Sequence, residues 1–66
     1  MTLQPHEQRV VDEKSELDAK LKKLDEFIET SPIFLSLSPR AQSLLYYQGL
    51  IMTEYSNILD QRISEF

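Results

Sequence analysis

Ser38-Pro-Arg-Ala-Gln-Ser-Leu-Leu-Tyr-Tyr-Gln-Gly-Leu-Ile-Met-Thr-Glu-Tyr-Ser-Asn-Ile-Leu-Asp-Gln-Arg-Ile-Ser-Glu-Phe66 is the stretch that decides the fold. Ser38 followed by Pro39 reads as an N-cap with proline at the first helical position, and nothing after it breaks a helix before Phe66. At 1.5 Å per residue such a helix is about 40 Å long. On 100° steps Ala41, Leu44, Leu45, Tyr47, Ile51, Met52, Tyr55, Ile58, Leu59, Ile63 and Phe66 spread over roughly 160°, more than one narrow partner covers. Tyr46 and Leu50 point to the opposite side. The uncharged run from Leu44 to Met52 would be an aggregation hazard if left wet, so burial against further copies is expected. Gly49 costs about 1 kcal/mol relative to alanine in a helix interior and fits best where another helix approaches closely.

Upstream, the prolines at 5 and 32 punctuate the rest of the chain. A first helix is predicted to start between Thr2 and Pro5, with Glu7 favourable at its positive end, and to run to about Thr30. Its apolar residues Leu3, Val10, Leu17, Leu21, Leu24 and Ile28 lie within roughly 60°, a narrow seam. Glu16 with Lys20, and Asp18 with Lys22, are spaced as i,i+4 pairs on its wet faces. Ser31-Pro32-Ile33-Phe34-Leu35-Ser36-Leu37 repeats the Ser-Pro start and predicts one short helical or 3₁₀ turn, with Ile33, Phe34 and Leu37 plugging the hairpin's end. The fold expected is therefore all-α, a single domain over residues 1–66. It consists of two long antiparallel helices with a short helical turn between them, assembled as a homo-oligomer.

The totals support that expectation. A chain of 66 residues buries only about 60% of the surface its unfolded form exposes, so its core needs a supplement. There are no cysteines and one histidine, which removes disulfides and the usual zinc spacings and leaves self-association. A net charge of −4 argues against a general duplex nucleic-acid binder, which neutralises phosphates with a basic face, but leaves a compact anionic ligand open. No apolar stretch nears the roughly 20 residues that span a bilayer, and Met1-Thr-Leu-Gln-Pro lacks the start of a signal peptide. No membrane association and a cytoplasmic location are expected.

No catalytic constellation is present: no activated serine, no phosphate-binding glycine loop, and only His6, read as part of a solvated helix start. An enzyme is not expected, and neither a metal nor a cofactor. Arg62 is the sharper observation, because it lies at the centre of the second helix's apolar arc, in line with Leu44 and close to Tyr55. Two readings stand. It forms an ion pair with Glu13 or Glu16, or snorkels at the chain's end; or several copies present it to phosphates. The other positive cluster is Arg9, Lys14, Lys20, Lys22 and Lys23. Of these Lys14 borders the seam, either as a phosphate contact or with its stem over the seam and its ammonium in water.

Five segments carry a family resemblance: Glu7-Gln-Arg-Val-Val-Asp-Glu-Lys14, Glu16-Leu-Asp-Ala-Lys-Leu21, Lys23-Leu-Asp-Glu-Phe-Ile28, Ser31-Pro-Ile-Phe34 and Glu54-Tyr-Ser-Asn-Ile-Leu-Asp-Gln-Arg-Ile63. In this order they resemble the small helical proteins related to those of crAss-phages that include the phage anti-CBASS cyclic-oligonucleotide sponges. The resemblance implies a hexamer, in the cytoplasm of the infected bacterial host, that sequesters cyclic dinucleotides or trinucleotides before they activate an antiphage effector. It implies dinucleotide pockets between protomers, falling near Lys14, Ser15, Glu29, Thr30 and Ser31. Here Lys14 stands where the family has an aromatic, and Glu29 where it has a lysine. The trinucleotide-type site maps onto Arg62.

Two functions from different classes follow. One is a sponge with Arg62 or Lys14 on phosphates, Arg9 as a further ligand-binding candidate, and Tyr47 or Tyr55 against bases, where stacking contributes about 1 to 3 kcal/mol per base. The other is a structural or adaptor helix module that docks a phage or host protein in helix-in-groove fashion.

Overall fold

The computed structural model describes residues 2–66. Three helices follow one another: α1 Pro5–Thr30, α2 Pro32–Ser36 and α3 Pro39–Ser64. Each begins on a proline, whose missing N–H would have had no helical acceptor there. The caps are local. The Gln4 N–H donates to Glu7 Oε1 at 2.8 Å, Ser31 Oγ accepts from the Ile33 N–H at 3.2 Å, and Ser38 Oγ accepts from the Ala41 N–H at 3.1 Å. At the far end α3 stops at Ser64, short of the expected Phe66. There the N–H groups of Glu65 and Phe66 return to the carbonyls of Arg62 and Ile63 at 3.1 Å each, which tightens the last turn.

α1 and α3 pack against each other along their length. Lys14 meets Ser56, and Leu24 lies against Gly49. Residue numbers therefore rise on one helix as they fall on the other, so the pair is antiparallel. Leu59 is wholly buried, and with Val10 and Leu17 it makes a core against which Met52 and Ile63 pack. The inward residues step by alternating threes and fours, at 10, 14, 17, 21, 24 and 28 on α1 and at 42, 45, 49, 52, 56, 59 and 63 on α3. That is the spacing of a coiled-coil seam. Lys14 and Ser56 occupy seam positions like any leucine, so the core carries one polar layer. Leu3, expected in the seam, precedes α1 and is 39% exposed.

α2 closes the hairpin with one residue. Phe34 is buried and meets Phe27 and Tyr46 edge-on, at centroid distances of 6.1 and 5.6 Å. Gln42 Nε2 donates to the carbonyls of Phe34 and Leu37 at 3.0 and 3.2 Å, tying the turn to α3. Ile33 does not share the plug: it is 62% exposed, because in a helix of one turn only one side faces the hairpin.

The molecule measures 49 × 16 × 14 Å with a radius of gyration of 15.0 Å, against about 11 Å for a compact domain of this length. Its accessible surface of 5293 Å² exceeds the roughly 4300 Å² expected for a folded chain of this mass. Large apolar side chains of α3 form part of that surface. Leu44, Tyr47, Ile51, Tyr55, Ile58 and Phe66, read as part of one arc with the core, are all exposed, while Leu59 is the one that α1 covers completely.

Candidate functional site

The polar layer forms because Asp18 sits one turn after Lys14 on α1, on the same side, facing Ser56 across the seam. Lys14 Nζ donates to Asp18 Oδ2 at 2.8 Å and to Ser56 Oγ at 3.0 Å, and Ser56 Oγ donates to Asp18 Oδ1 at 2.5 Å. Ser56 is buried, and the Lys14 and Asp18 side chains keep 25% and 45% of their exposure. The hydrogen bonds from Lys14 and then Ser56 hold the Asp18 carboxyl below its ordinary value, outweighing the opposing effect of burial. The Lys14 ammonium is thus engaged within the hairpin rather than free over the seam. Two of its three donors are already engaged.

This layer replaces the expected surface pairs. Among the described residues Lys14–Asp18 is the one ion pair, so Asp18 with Lys22 and Glu16 with Lys20 do not form. Lys14 and Lys22 are equally spaced from Asp18 along the helix, and Ser56 decides between them by anchoring the carboxylate toward α3. Ser56 was not singled out from sequence, and Asp18 only as a partner of Lys22 on a wet face. The signal was present in the seam spacing, where positions 14 and 56 fall into step with the leucines.

Arg62 is exposed and makes no ion pair among the described residues, so the pair with Glu13 or Glu16 is absent from the hairpin. The seam divides the remaining residues between two flanks. On the Arg62 flank α3 presents Leu44, Gln48, Ile51, Tyr55, Ile58 and Arg62, beside Arg9, Glu13, Glu16, Lys20 and Lys23 of α1. The register carries Arg62 to the turn of α1 that holds Arg9, with Tyr55 two turns of α3 away. Tyr47, 61% exposed, lies on the outer ridge of α3 nearer the hairpin's closed end.

The other candidates lie elsewhere. Ser15 is exposed on the opposite flank. Thr30 and Ser31 stand about 30 Å from Arg9 along α1, at the closed end. There Thr30 Oγ1 donates to the Glu26 carbonyl at 2.6 Å and Ser31 caps α2. One protomer therefore gathers Arg62, Tyr55 and Arg9 on a flank, holds Lys14 in the seam beside Ser56, and leaves Ser15, Thr30 and Ser31 apart from them.

On the second flank, Tyr46, Leu50 and Thr53 of α3 and Asp25 and Glu29 of α1 border an open groove of about 450 Å³, with Gly49 and Ile28 at its floor. The chain that approaches Gly49 is the protein's own α1: an added Cβ would meet Leu24 Cδ2 at 3.7 Å, an ordinary contact. Among the described residues no cluster of His, Asp or Glu is placed to hold a metal ion. No helix there is long and apolar enough to cross a membrane.

A family model described as Sequestin matches residues 4–65. No curated protein and no solved structure matches the chain.

Proposed function

The chain belongs to the Sequestin family, and on that premise we propose that it is a non-catalytic sponge that binds and holds a small ligand. The ligand class proposed is the cyclic oligonucleotide second messengers, dinucleotides or trinucleotides, whose removal blocks CBASS effectors during phage infection in the bacterial cytoplasm. Sequestration needs no bond to break, only affinity and abundance, and this accords with a chain that offers cations and aromatics and no activated nucleophile. The observation that carries the reading is Arg62, a guanidinium left without an ion pair on the flank that also holds Tyr55 and Arg9. A guanidinium binds phosphate oxygens through two parallel hydrogen bonds, and an exposed tyrosine offers a face to a base.

We propose further that the working form is a homo-oligomer, with a hexamer as the expected size. A hairpin 49 Å long with about 1000 Å² more surface than a compact chain of its mass has roughly one partner's share of a stable interface to cover. Assembly also multiplies Arg62. Copies brought together surround several phosphates at once, which one protomer does not.

The test is thermal unfolding with cyclic dinucleotides and cyclic trinucleotides in turn. A ligand bound by the folded protein alone adds about 2.7 kcal/mol at 100 times its dissociation constant. Because Arg62 is read as a trinucleotide contact, Arg62→Ala should abolish a trinucleotide shift and spare a dinucleotide shift. No shift with any cyclic nucleotide would leave the second reading, an adaptor module, which is favoured by the exposure of Leu44, Leu50 and Ile51.

A further inference from the structure

The two flanks of the hairpin are both apolar on α3 and unlike in charge on α1. Toward the closed end, the Arg62 flank carries Leu44 and Ile51, 51% and 69% exposed, bordered by Lys20 and Lys23, with Glu16 one turn further toward the open end and not paired to Lys20. At the same height the other flank carries Tyr46 and Leu50, 54% and 64% exposed, over the groove that Asp25 and Glu29 border. Lys22 is the one base near those acids. None of Lys20, Lys23, Asp25 and Glu29 has an ion-pair partner among the described residues.

We infer that the copies join by unlike flanks: the Leu44–Ile51 ridge of one protomer seats in the Tyr46–Leu50 groove of the next, with Lys20 and Lys23 meeting the partner's acids. The inference rests on the homo-oligomer proposed above and names its contact. Three observations favour it over pairing of like flanks. A single kind of contact covers both apolar sides only if it joins one to the other. Groove against groove in a parallel pair would set Asp25 and Glu29 against their own copies, and like charges at an interface select against that pairing. The groove is also floored by Gly49, so nothing longer than a hydrogen fills it at that point and a branched side chain can enter. A contact between unlike surfaces repeats from copy to copy and closes as a ring when the rotation per step allows. Near the open end the ring leaves Arg62, Tyr55 and Arg9 beyond the ridge that docks.

The experiment is light scattering on the whole chain without nucleotide, so its result is independent of whether any ligand binds. Lys20→Glu with Lys23→Glu gives a protein with two acidic flanks, and Asp25→Lys with Glu29→Lys gives one with two basic flanks. Each alone should fall to the mass of one chain while the equimolar mixture reassembles to two or more. All four positions are exposed, and far-ultraviolet circular dichroism checks that each variant is helical before it is weighed. The sequence has no cysteine, so a second pair of variants reads the contact directly. Leu50→Cys mixed with Ile51→Cys should form a mixed disulfide under mild oxidation, and neither should cross-link with itself. A wild-type chain of single mass overturns the inference. So does an assembly indifferent to the changes at 25 and 29, which would mean pairing through the Arg62 flank alone, or self-linking of Ile51→Cys.

Discussion

Ser56→Ala isolates the polar layer, because it deletes one hydroxyl and leaves the Lys14–Asp18 pair in place. That hydroxyl accepts one hydrogen bond from an ammonium and donates one to a carboxylate, at 3.0 and 2.5 Å. Hydrogen bonds to charged groups contribute about 1.5 to 3 kcal/mol each when nothing replaces them. Here both charged partners stay bonded to each other at 2.8 Å, and both remain partly open to water, so solvent takes over much of what the serine gave. The expected cost is about 1 kcal/mol, a melting temperature lower by about 4 to 8 °C for a chain of this size. Both proteins are compared at one concentration, since association would add its own stabilisation.

A second signature accompanies the first. The Asp18 carboxyl titrates below its ordinary 3.8, with Lys14 the larger cause and Ser56 the next, so Ser56→Ala should move it part of the way back up in a carbon-13 NMR titration. The folded value lies below the unfolded one, so this interaction stabilises fully above pH about 3.8 and is lost as pH falls through the folded value. The wild type should therefore lose more stability on acidification than the variant. An unchanged melting temperature together with an unmoved Asp18 titration would refute the layer as described. A fall of more than about 15 °C would refute the argument that water replaces the hydroxyl.

Leu59→Ala empties the one completely buried side chain and should cost about 2 to 5 kcal/mol, enough to unfold a core this small, read as lost helical circular dichroism at 25 °C. Gly49→Ala adds a methyl at an ordinary 3.7 Å from Leu24, so in dilute protein it should raise stability by about 0.5 to 1 kcal/mol. A fall would show that the hairpin is closer there than described. Arg62→Ala should leave the melting temperature without ligand within about 2 °C, because no ion pair within the chain is lost. Removal of a partner by Lys14→Ala should instead move the Asp18 titration up by more than Ser56→Ala does, since Lys14 is the larger cause of its lowering, measured as above.

The sequence by itself determined the elements and where each begins. Prolines at 5, 32 and 39 and the serines before the last two set the helix starts through rules that reach no further than one turn. It also determined that α3 has more apolar surface than α1 covers, since the width of an arc follows from helical periodicity alone. The candidate cations and tyrosines were legible as types, and Arg62 as a charge set among apolar neighbours. Only the tertiary structure decided which of them share a flank, because that depends on the register between α1 and α3. The same register places Ser56 against residues 42 and 38 positions away in sequence. It gave Asp18 to Lys14 rather than Lys22, used Thr30 and Ser31 at the closed end, and left Ile33 in water. Local spacing offers a carboxylate two equivalent lysines; a hydroxyl arriving from the other helix breaks the tie.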